Sequence, residues 1–430
     1  MRRRCTTPLI SAVTLGLAIV SAAIVSAAPA SACPEPGQAA PGTVTRPVLS
    51  ADEAAGFTPA DYLGWSGRYA APTADPWRPG GPDVRRLHPD FVVGSTVGVD
   101  SATHTSVQAA VNAAFAAGSG TRRAVRLLPG TYTGTVFIPA GSPPLTIYGA
   151  GRPEEVRIEF SVDATVSPAT WARQVNPSGQ YAEGDPAWPM YQSCATRTTA
   201  NVGLCATVVW AQSTDLRLRG LTITNTLLDT VDHGTHQALA LRTDADRTEL
   251  EAVRLVSRQD TFCANANDPE QIARVSVRDS YLEGDTDFVF GRAAAVFERT
   301  EFHLVSTRKP ANGVIFAPST APTFRYGYLV RHSRLTADAG YVAAPTGHFG
   351  RAWDQGAGAT GYLPGSTANG QLVIRDSVIG AGFDQVAPWS PAATTARPYL
   401  GSIAVDRDLD DVHANRLWEY HNAGPGVGTA

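Results

Sequence analysis

The 430-residue sequence predicts an all-β protein in which short strands stack coil upon coil, as in a single-stranded parallel β-helix. Two observations support this prediction. Gly and Pro are frequent, with 40 and 31 residues, which is typical of many short strands separated by turns. A six-residue motif also recurs, in which two apolar residues enclose four others and no long helix separates the copies.

Six copies of the motif occur at intervals of about 20 to 44 residues. They are Leu218–Ile223, Leu250–Leu255, Val277–Leu282, Phe297–Phe302, Val330–Leu335 and Ile374–Ile379. In three copies the fourth residue is Ser. A β-sandwich is the alternative, since it also contains many short strands. The irregular spacing favours a β-helix, because its strands stay in register while turns of any length project from the stack.

The N-terminus has the features of an export signal. Arg2–Arg4 provides a basic start, an apolar run extends from about Leu9 to Val25, and Ala30–Ala32 resembles a cleavage site. We therefore interpret residues 1–32 as a signal peptide of a secreted protein. Cys33 follows the site and is a candidate for lipid attachment, although the residue three positions before it is Ala rather than Leu.

Composition and charge exclude several functional classes. The formal net charge is −4 and no basic cluster follows the predicted signal peptide, so nucleic acid is not an expected partner. No second apolar stretch is long enough for a transmembrane segment. No Cys/His set has zinc-ligand spacing, and no metal or cofactor is expected. We expect a monomer.

The chain divides into three parts after the signal peptide. Residues 33–90 combine a Pro- and Ala-rich linker with an irregular extension, in which a helix is expected over 51–62. Residues 91–430 form the predicted β-helix domain. Its start contains a strand at 91–93 and a helix from Ser106 to about Ala117, capped by Ser106 and stopped by Gly118. Further strands are expected at 125–128, 135–138 and 145–148.

Residues 162–204 interrupt the strand pattern with a long polar insertion. Loops of this length in compact domains are often functional. Cys194 and Cys205 lie close together within or beside it, and we predict that they form a disulfide. Cys263 is expected to be a buried thiol rather than a nucleophile.

Polar residues recur about one coil apart in the middle of the chain. Gln237, Gln259–Asp260 and Asp287 are separated by 20 to 30 residues and hold a similar phase relative to the repeat. In a β-helix such residues stack at about 5 Å. Two carboxyl groups at that distance cannot both ionise easily, so one becomes an acid while the other stays a carboxylate. Amide groups suit an oxyanion, and the set predicts a hydrolytic site.

Two other interpretations fit the same column. β-Helices stack Asn, Gln or Asp as structural ladders without any catalytic role. Alternatively, Asp260, Asp285 and Asp287 could bind calcium, as acidic clusters do in other β-helical proteins.

Over roughly residues 91–430, the sequence resembles the members of a known family, the pectin methylesterases. The resemblance depends on an ordered set of motifs rather than on one. These are Gln237–Leu241 for Gln-Ala-x-Ala-Leu, Gln259–Thr261 for Gln-Asp-Thr, Asp287–Gly291 for Asp-Phe-x-Phe-Gly, and Gly350–Trp353 for Gly-Arg-Pro-Trp, with a tail at Glu419–Gly426. The long insertion and extension are similar to a longer bacterial branch of this family. The resemblance implies a right-handed parallel β-helix.

The resemblance also implies a role for each residue. Asp287 is the expected nucleophile on a galacturonate methyl ester of pectin, and Asp260 the expected acid and base. Gln237 and Gln259 would stabilise the oxyanion, and Arg351 would orient Asp287. Trp353, Phe288 and Phe262 are the expected substrate-contacting residues.

The sequence departs from the family pattern at three points. Gly134 replaces a Glu of the opening turn, Ala352 replaces the Pro between Arg351 and Trp353, and the segment between Asp260 and Asp287 is longer. Some members of the longer branch are described as acyl thioester hydrolases, and their acid residues are altered. An acyl thioester hydrolase or another polysaccharide esterase is therefore one alternative, and a non-catalytic glycan-binding β-helix is another. Both acids are present here, which favours an esterase.

Overall fold

A computed structural model describes residues 40–80, 84–118 and 120–428. The predicted signal peptide and Cys33 lie outside these residues, so export and lipid attachment stay predictions. Within the described residues, no helix has the length and apolar character needed to cross a membrane.

The described residues contain twenty-nine strands and six α-helices. In chain order, strands β1 to β15 are Gly42–Thr43, Arg46–Pro47, Trp65–Arg68, Ala71–Ala74, Phe91–Val93, Arg123–Leu127, Gly130–Thr133, Val136–Ile138, Leu145–Gly149, Val156–Phe160, Thr207–Ala211, Leu216–Arg219, Thr222–Asn225, Leu239–Thr243 and Thr248–Glu251. Strands β16 to β29 are Arg254–Val256, Phe262–Ala264, Arg274–Arg278, Tyr281–Gly284, Val289–Gly291, Ala294–Glu298, Glu301–Leu304, Val314–Pro318, Tyr328–Arg331, Arg334–Ala337, His348–Gly350, Gln371–Arg375, Val378–Ile379 and Arg416–Tyr420. Helices α1 to α6 are Ala51–Ala54, Pro59–Leu63, Val107–Ala116, Pro168–Val175, Trp188–Ala195 and Ala339–Ala343.

Three parallel sheets form the body of the molecule. From β6 to β28, successive strands along the chain belong to sheets one, two and three in turn. Sheet one has the order β29-β27-β24-β21-β18-β15-β12-β9-β6-β5. Sheet two has the order β28-β25-β22-β19-β16-β13-β10-β7, and sheet three β26-β23-β20-β17-β14-β11-β8. Each strand therefore pairs with the strand one coil later, which confirms the predicted parallel β-helix. The interior is filled by apolar side chains from all three sheets.

The six-residue motif forms the corner between sheets one and two. Its first apolar residues pair in one continuous register from Leu218 to Ile374. Its last apolar residues pair in the same way from Ile223 to Ile379. The third residue of every copy has a left-handed φ between 49° and 60°, which turns the chain between the sheets. The motif is thus a corner unit whose apolar ends enter the core.

The Ser residues of the motif stabilise this corner. Ser333 Oγ accepts a hydrogen bond from the Thr300 backbone N–H at 3.1 Å, and Ser377 Oγ accepts one from the Ser333 N–H at 3.1 Å. Each hydroxyl also donates to the carbonyl two residues earlier. A small hydroxyl side chain at this position therefore satisfies backbone groups that the turn leaves unpaired.

The residues before the β-helix pack on the outer face of sheet one. Phe57, Tyr62 and Leu63 are buried against Val296, Leu329 and other residues of that face. The expected helix over 51–62 is instead two short helices, α1 and α2. Thr58 caps α2 and Pro59 occupies its first turn, and this new N-terminus separates the two helices. Helix α3 begins after its predicted cap, Ser106, and ends at Ala116.

Candidate active site

The candidate residues lie at the start of three neighbouring strands of sheet three. Backbone bridges join Gln237 to Gln259 and Gln259 to Thr286 in parallel register. Asp260 and Asp287 stand two residues before β17 and β20, respectively. Adjacent strands in a sheet are about 4.8 Å apart. Three successive coils therefore bring polar side chains separated by up to 50 residues into one cluster.

Both acids of this cluster have a left-handed backbone. The φ angle is 65° at Asp260 and 47° at Asp287. Such a conformation costs roughly 1–3 kcal/mol for a non-glycine residue and is concentrated at functional sites. The two acids are not part of the interior core, whereas Phe262 and Phe288, which follow them, belong to it.

Arg351 holds the carboxylate of Asp287 with two hydrogen bonds. Its Nε donates to Oδ1 at 2.8 Å and its Nη2 donates to Oδ2 at 2.5 Å. Arg351 directly follows β26, two strands beyond β20 in sheet three. The side chain of Asp287 is 13% exposed and that of Arg351 is 25% exposed. This planar two-point contact fixes the orientation of the Asp287 carboxylate.

Asp260 has the opposite environment. It is 4% exposed, and burial raises the pKa of its carboxyl group well above the usual value, with a further contribution from the negative charge of Asp287. The Gln237 side chain donates to Asp260 Oδ2 at 2.7 Å and opposes this effect only in part. The two acids thus have unequal environments, one held by a guanidinium and one enclosed by the protein.

The two Gln side chains are held by different partners. The Gln237 Nε2 atom contacts Asp260, as described above. The Gln259 Oε1 atom accepts a hydrogen bond from the His236 backbone N–H at 2.9 Å. Because its oxygen is engaged there, the Nε2 group of Gln259 is the end available as a donor. Two amide groups therefore lie beside the carboxyl pair.

Trp353 forms part of the same outer surface. Its ring lies 5.7 Å from the ring of Phe290, and its indole N–H donates to Thr394 Oγ1 at 3.1 Å. Phe290 packs with Leu239 and Cys263 in a small cluster outside the interior core. The partly exposed Trp353 ring thus offers an apolar surface next to the acids.

Phe262 and Phe288 are not part of this surface. Both rings are fully buried and belong to the interior core. The expectation that they contact substrate is therefore wrong, because both rings are enclosed by the core and neither reaches the outer surface. Phe290, two residues after Phe288, takes the outward position.

The structure confirms the disulfide between Cys194 and Cys205 and the buried thiol of Cys263. Burial raises the pKa of Cys263 above its usual value, which makes this thiol a poor nucleophile. Within the described residues, no group of three or more His, Cys, Asp and Glu side chains is arranged to hold a metal ion.

The insertion over 162–204 covers one end of the outer face of sheet three. Trp171 and Tyr181 stack on Phe137 of β8, with ring centroids 6.2 and 4.7 Å away. Trp210 of β11 is buried in the same cluster, which α4, α5 and the disulfide surround. The first two strands of sheet three are therefore covered, and the exposed part of this face begins near the catalytic candidates.

Sequence reasoning missed two elements around the site. Asp285 is fully buried, and Arg308 donates from Nε to its Oδ2 at 3.0 Å. The Nη1 of Arg308 also donates to the carbonyls of Asp232 and Gly234. His236 contacts the carboxylates of Asp163 and Asp232. No sequence motif connects these residues, because their contacts span loops of unrelated length. The position of His236 directly before Gln237 was the one available signal.

Comparisons with known proteins agree with this geometry. A family model described as Pectinesterase matches residues 192–358. Pectinesterase B of Dickeya dadantii (strain 3937) is 55% identical over 390 residues, which cover 89% of this chain and 90% of that protein. The putative acyl-CoA thioester hydrolase YbhC of Escherichia coli (strain K12) is 41% identical over 404 residues, covering 90% of each chain.

A solved structure shares the whole architecture. The structure of rice weevil pectin methyl esterase superposes with a TM-score of 0.80 at 35% identity, and the match covers 90% of this chain and 100% of that chain. The likeness thus extends over most of this chain.

Proposed function

Because this chain belongs to the pectinesterase family of carboxylic ester hydrolases, we propose that it removes methyl esters from galacturonate units of pectin and releases methanol. The observation that carries the proposal is the unequal acid pair. Arg351 binds both carboxylate oxygens of Asp287, while burial raises the pKa of Asp260. Family membership makes the chain an enzyme, so the alternative of a non-catalytic glycan-binding protein is set aside.

In the first half of the proposed reaction, a carboxylate oxygen of Asp287 attacks the ester carbonyl carbon. The oxyanion that forms accepts hydrogen bonds from the amides of Gln237 and Gln259. Asp260 gives its proton to the methoxy oxygen, and the C–O bond to methanol breaks. The products of this half are methanol, an acyl anhydride on Asp287 and an ionised Asp260.

In the second half, Asp260 acts as the base. It takes a proton from a water molecule, whose oxygen attacks the substrate carbonyl carbon of the anhydride. The bond to Asp287 breaks and returns its carboxylate, and the galacturonate product leaves as the free acid group. The cycle restores both residues to their starting protonation states, so no other reagent is needed.

Two variants test this proposal with highly methylated pectin as substrate. Asp287→Asn and Asp260→Asn should each lower methanol release and acid release by at least about 1,000-fold, since each removes a group that reacts. Asp279→Asn, on the exposed outer surface in a pair with Arg299, should retain activity. Wild-type protein that releases no methanol, or full activity of Asp287→Asn, would contradict the proposal.

One finding favours a second candidate function. The 41% identical relative from Escherichia coli carries the name putative acyl-CoA thioester hydrolase. The same carboxylate attack on a thioester carbon would expel a thiolate, which needs no proton from Asp260. Release of free thiol from an acyl-CoA, at a rate above that of methanol from pectin, would favour this reaction. Asp260→Asn should then release about one thiol per enzyme molecule and stop, because hydrolysis of the anhydride still needs Asp260 as the base.

A further inference from the structure

His236 connects the insertion to the catalytic cluster. Its Nδ1 lies 2.7 Å from Asp163 Oδ2, at the base of the insertion, and its Nε2 lies 3.0 Å from Asp232 Oδ1 on the loop between β13 and β14. The imidazole is 18% exposed. One side chain therefore bridges two separate chain segments at the edge of the active site.

The chemistry of the bridge requires a second proton on the ring. Ionised carboxylates only accept hydrogen bonds, whereas a neutral imidazole has one donor and one acceptor nitrogen. Both contacts of His236 can therefore be hydrogen bonds only when the ring is an imidazolium. In the neutral ring, one nitrogen lone pair faces a carboxylate oxygen at hydrogen-bond distance, and that contact becomes repulsive.

Two backbone hydrogen bonds connect the bridge to Gln237 and Gln259, the two proposed amide donors. The N–H of His236 donates to Gln259 Oε1 at 2.9 Å. The N–H of Ala164, next to Asp163, donates to the carbonyl of Gln237 at 2.9 Å. His236 itself and the residue next to Asp163 thus hold the two residues that we assign to oxyanion stabilisation.

Hydrogen bonds around the His236 ring support the bridge and shift the pKa values of its members. Arg308 donates to the Asp232 and Gly234 carbonyls, and its own carbonyl lies 2.6 Å from Nδ1 of His233. Burial alone would lower the pKa of His236, but the hydrogen bonds to Asp163 and Asp232 outweigh it and raise the pKa above the usual value. The hydrogen bonds from Gly234 N–H and His236 lower the pKa of Asp232.

We propose that His236 is a positioning residue whose doubly protonated ring fastens the base of the insertion to Gln237 and Gln259, and whose deprotonation releases them. The kinetic consequence rests on the proposed esterase function, while the bridge itself does not. Since the pKa in the folded protein is raised, the bridge is complete at pH values below the usual His range. It is lost as the pH rises through the pKa of His236 in the folded protein.

A direct test of the bridge uses NMR of the imidazole groups and needs no activity. The His236 resonance is assigned by its absence in His236→Asn, and its midpoint is compared in the wild type and Asp163→Asn. We expect a midpoint above the usual His value in the wild type and a lower one in Asp163→Asn. A midpoint that Asp163→Asn leaves unchanged would overturn the inference, even if the protein proved inactive on pectin.

A kinetic test separates positioning from a purely structural role. Below the midpoint, His236→Asn and Asp163→Asn should each lower kcat on methylated pectin about tenfold, as the loss of a charge-assisted hydrogen bond predicts. As the pH rises through the midpoint, the wild-type rate should fall towards that of the variants. His303→Asn serves as the control, because the His303 ring stacks on Tyr281 of sheet two, and its kcat relative to that of the wild type should not change with pH. If kcat of His236→Asn relative to that of the wild type also does not change with pH, the proposal is overturned.

Discussion

Both carboxylate oxygens of Asp287 are bound by the guanidinium of Arg351, at 2.8 and 2.5 Å, across 64 residues of sequence. This contact joins the first and third of three adjacent strands in sheet three. The carboxylate lies beside Asp260, a second acid whose pKa is raised by burial. The asymmetry of the pair comes from this one guanidinium on one side and from the enclosed position of Asp260 on the other.

The geometry of this contact predicts that a positive charge at position 351 is not sufficient for full activity. Arg351→Lys keeps a cation but cannot bind both oxygens in one plane. We expect kcat on methylated pectin to fall about 100-fold, because a small displacement of the nucleophile is enough for such a loss. Arg299→Lys is the matched control, since Arg299 makes the same two-point contact with Asp279 at an exposed site. Equal losses in both variants would contradict the prediction.

Gln237 should influence both the rate and its pH dependence. Gln237→Ala removes an oxyanion donor, and we expect kcat to fall about 100- to 1,000-fold. It also removes the hydrogen bond that favours ionised Asp260, so the pKa of Asp260 rises further. The decline of activity caused by Asp260 ionisation should therefore move to higher pH. Gln192→Ala, an exposed position on α5, should change neither quantity.

The burial of Asp260 predicts a gain of stability when it is replaced. Its pKa is raised in the folded protein, so ionisation above the usual Asp pKa destabilises the fold progressively as the pH rises. Asp260→Asn should thus raise the Tm at neutral pH by about 2 °C or more, although it abolishes activity. The difference should disappear near pH 3, where the wild-type acid is protonated in both states. The exposed Asp406→Asn is the control, and a lower Tm of Asp260→Asn at pH 7 would argue against this account.

The disulfide should stabilise the insertion in particular. Cys194 and Cys205 close a loop with a sequence separation of 11, and the loss of such a cross-link costs about 2–3 kcal/mol. In the double Ser variant, limited proteolysis should cut first within residues 162–204. Hydrogen exchange should increase at α4 and α5 and stay unchanged in sheet one. First cuts within the β-helix coils would show that the disulfide acts elsewhere.

Trp353 should contribute to substrate binding rather than to the chemical step. Trp353→Ala removes the aromatic surface next to the acids, and we expect KM for methylated pectin to rise about fivefold with a smaller change in kcat. Trp353→Phe retains an aromatic face and serves as the matched variant. A large fall in kcat with unchanged KM would instead indicate that Trp353 supports Arg351, two residues earlier.

The sequence alone determined the coil repeat and the order of the polar residues. The apolar ends of the motif must enter a core, and their spacing permits stacked strands, so the β-helix and the clustering of Gln237, Asp260 and Asp287 could both be predicted. The close pair Cys194 and Cys205 was equally visible. These predictions depend on residue types and on their spacing, both of which can be read directly from the sequence.

Other features were decided only by the tertiary structure. Phe262 and Phe288 are buried in the core, and the two acids before them have a left-handed backbone, which the sequence motifs did not indicate. The bridge from Asp163 through His236 to Asp232 joins segments brought together by loops of unrelated length. Whether a carboxyl group is charged depends on burial and on partners one or more coils away. The sequence thus set which groups are present, and packing decided which of them lie at the candidate site and which are buried.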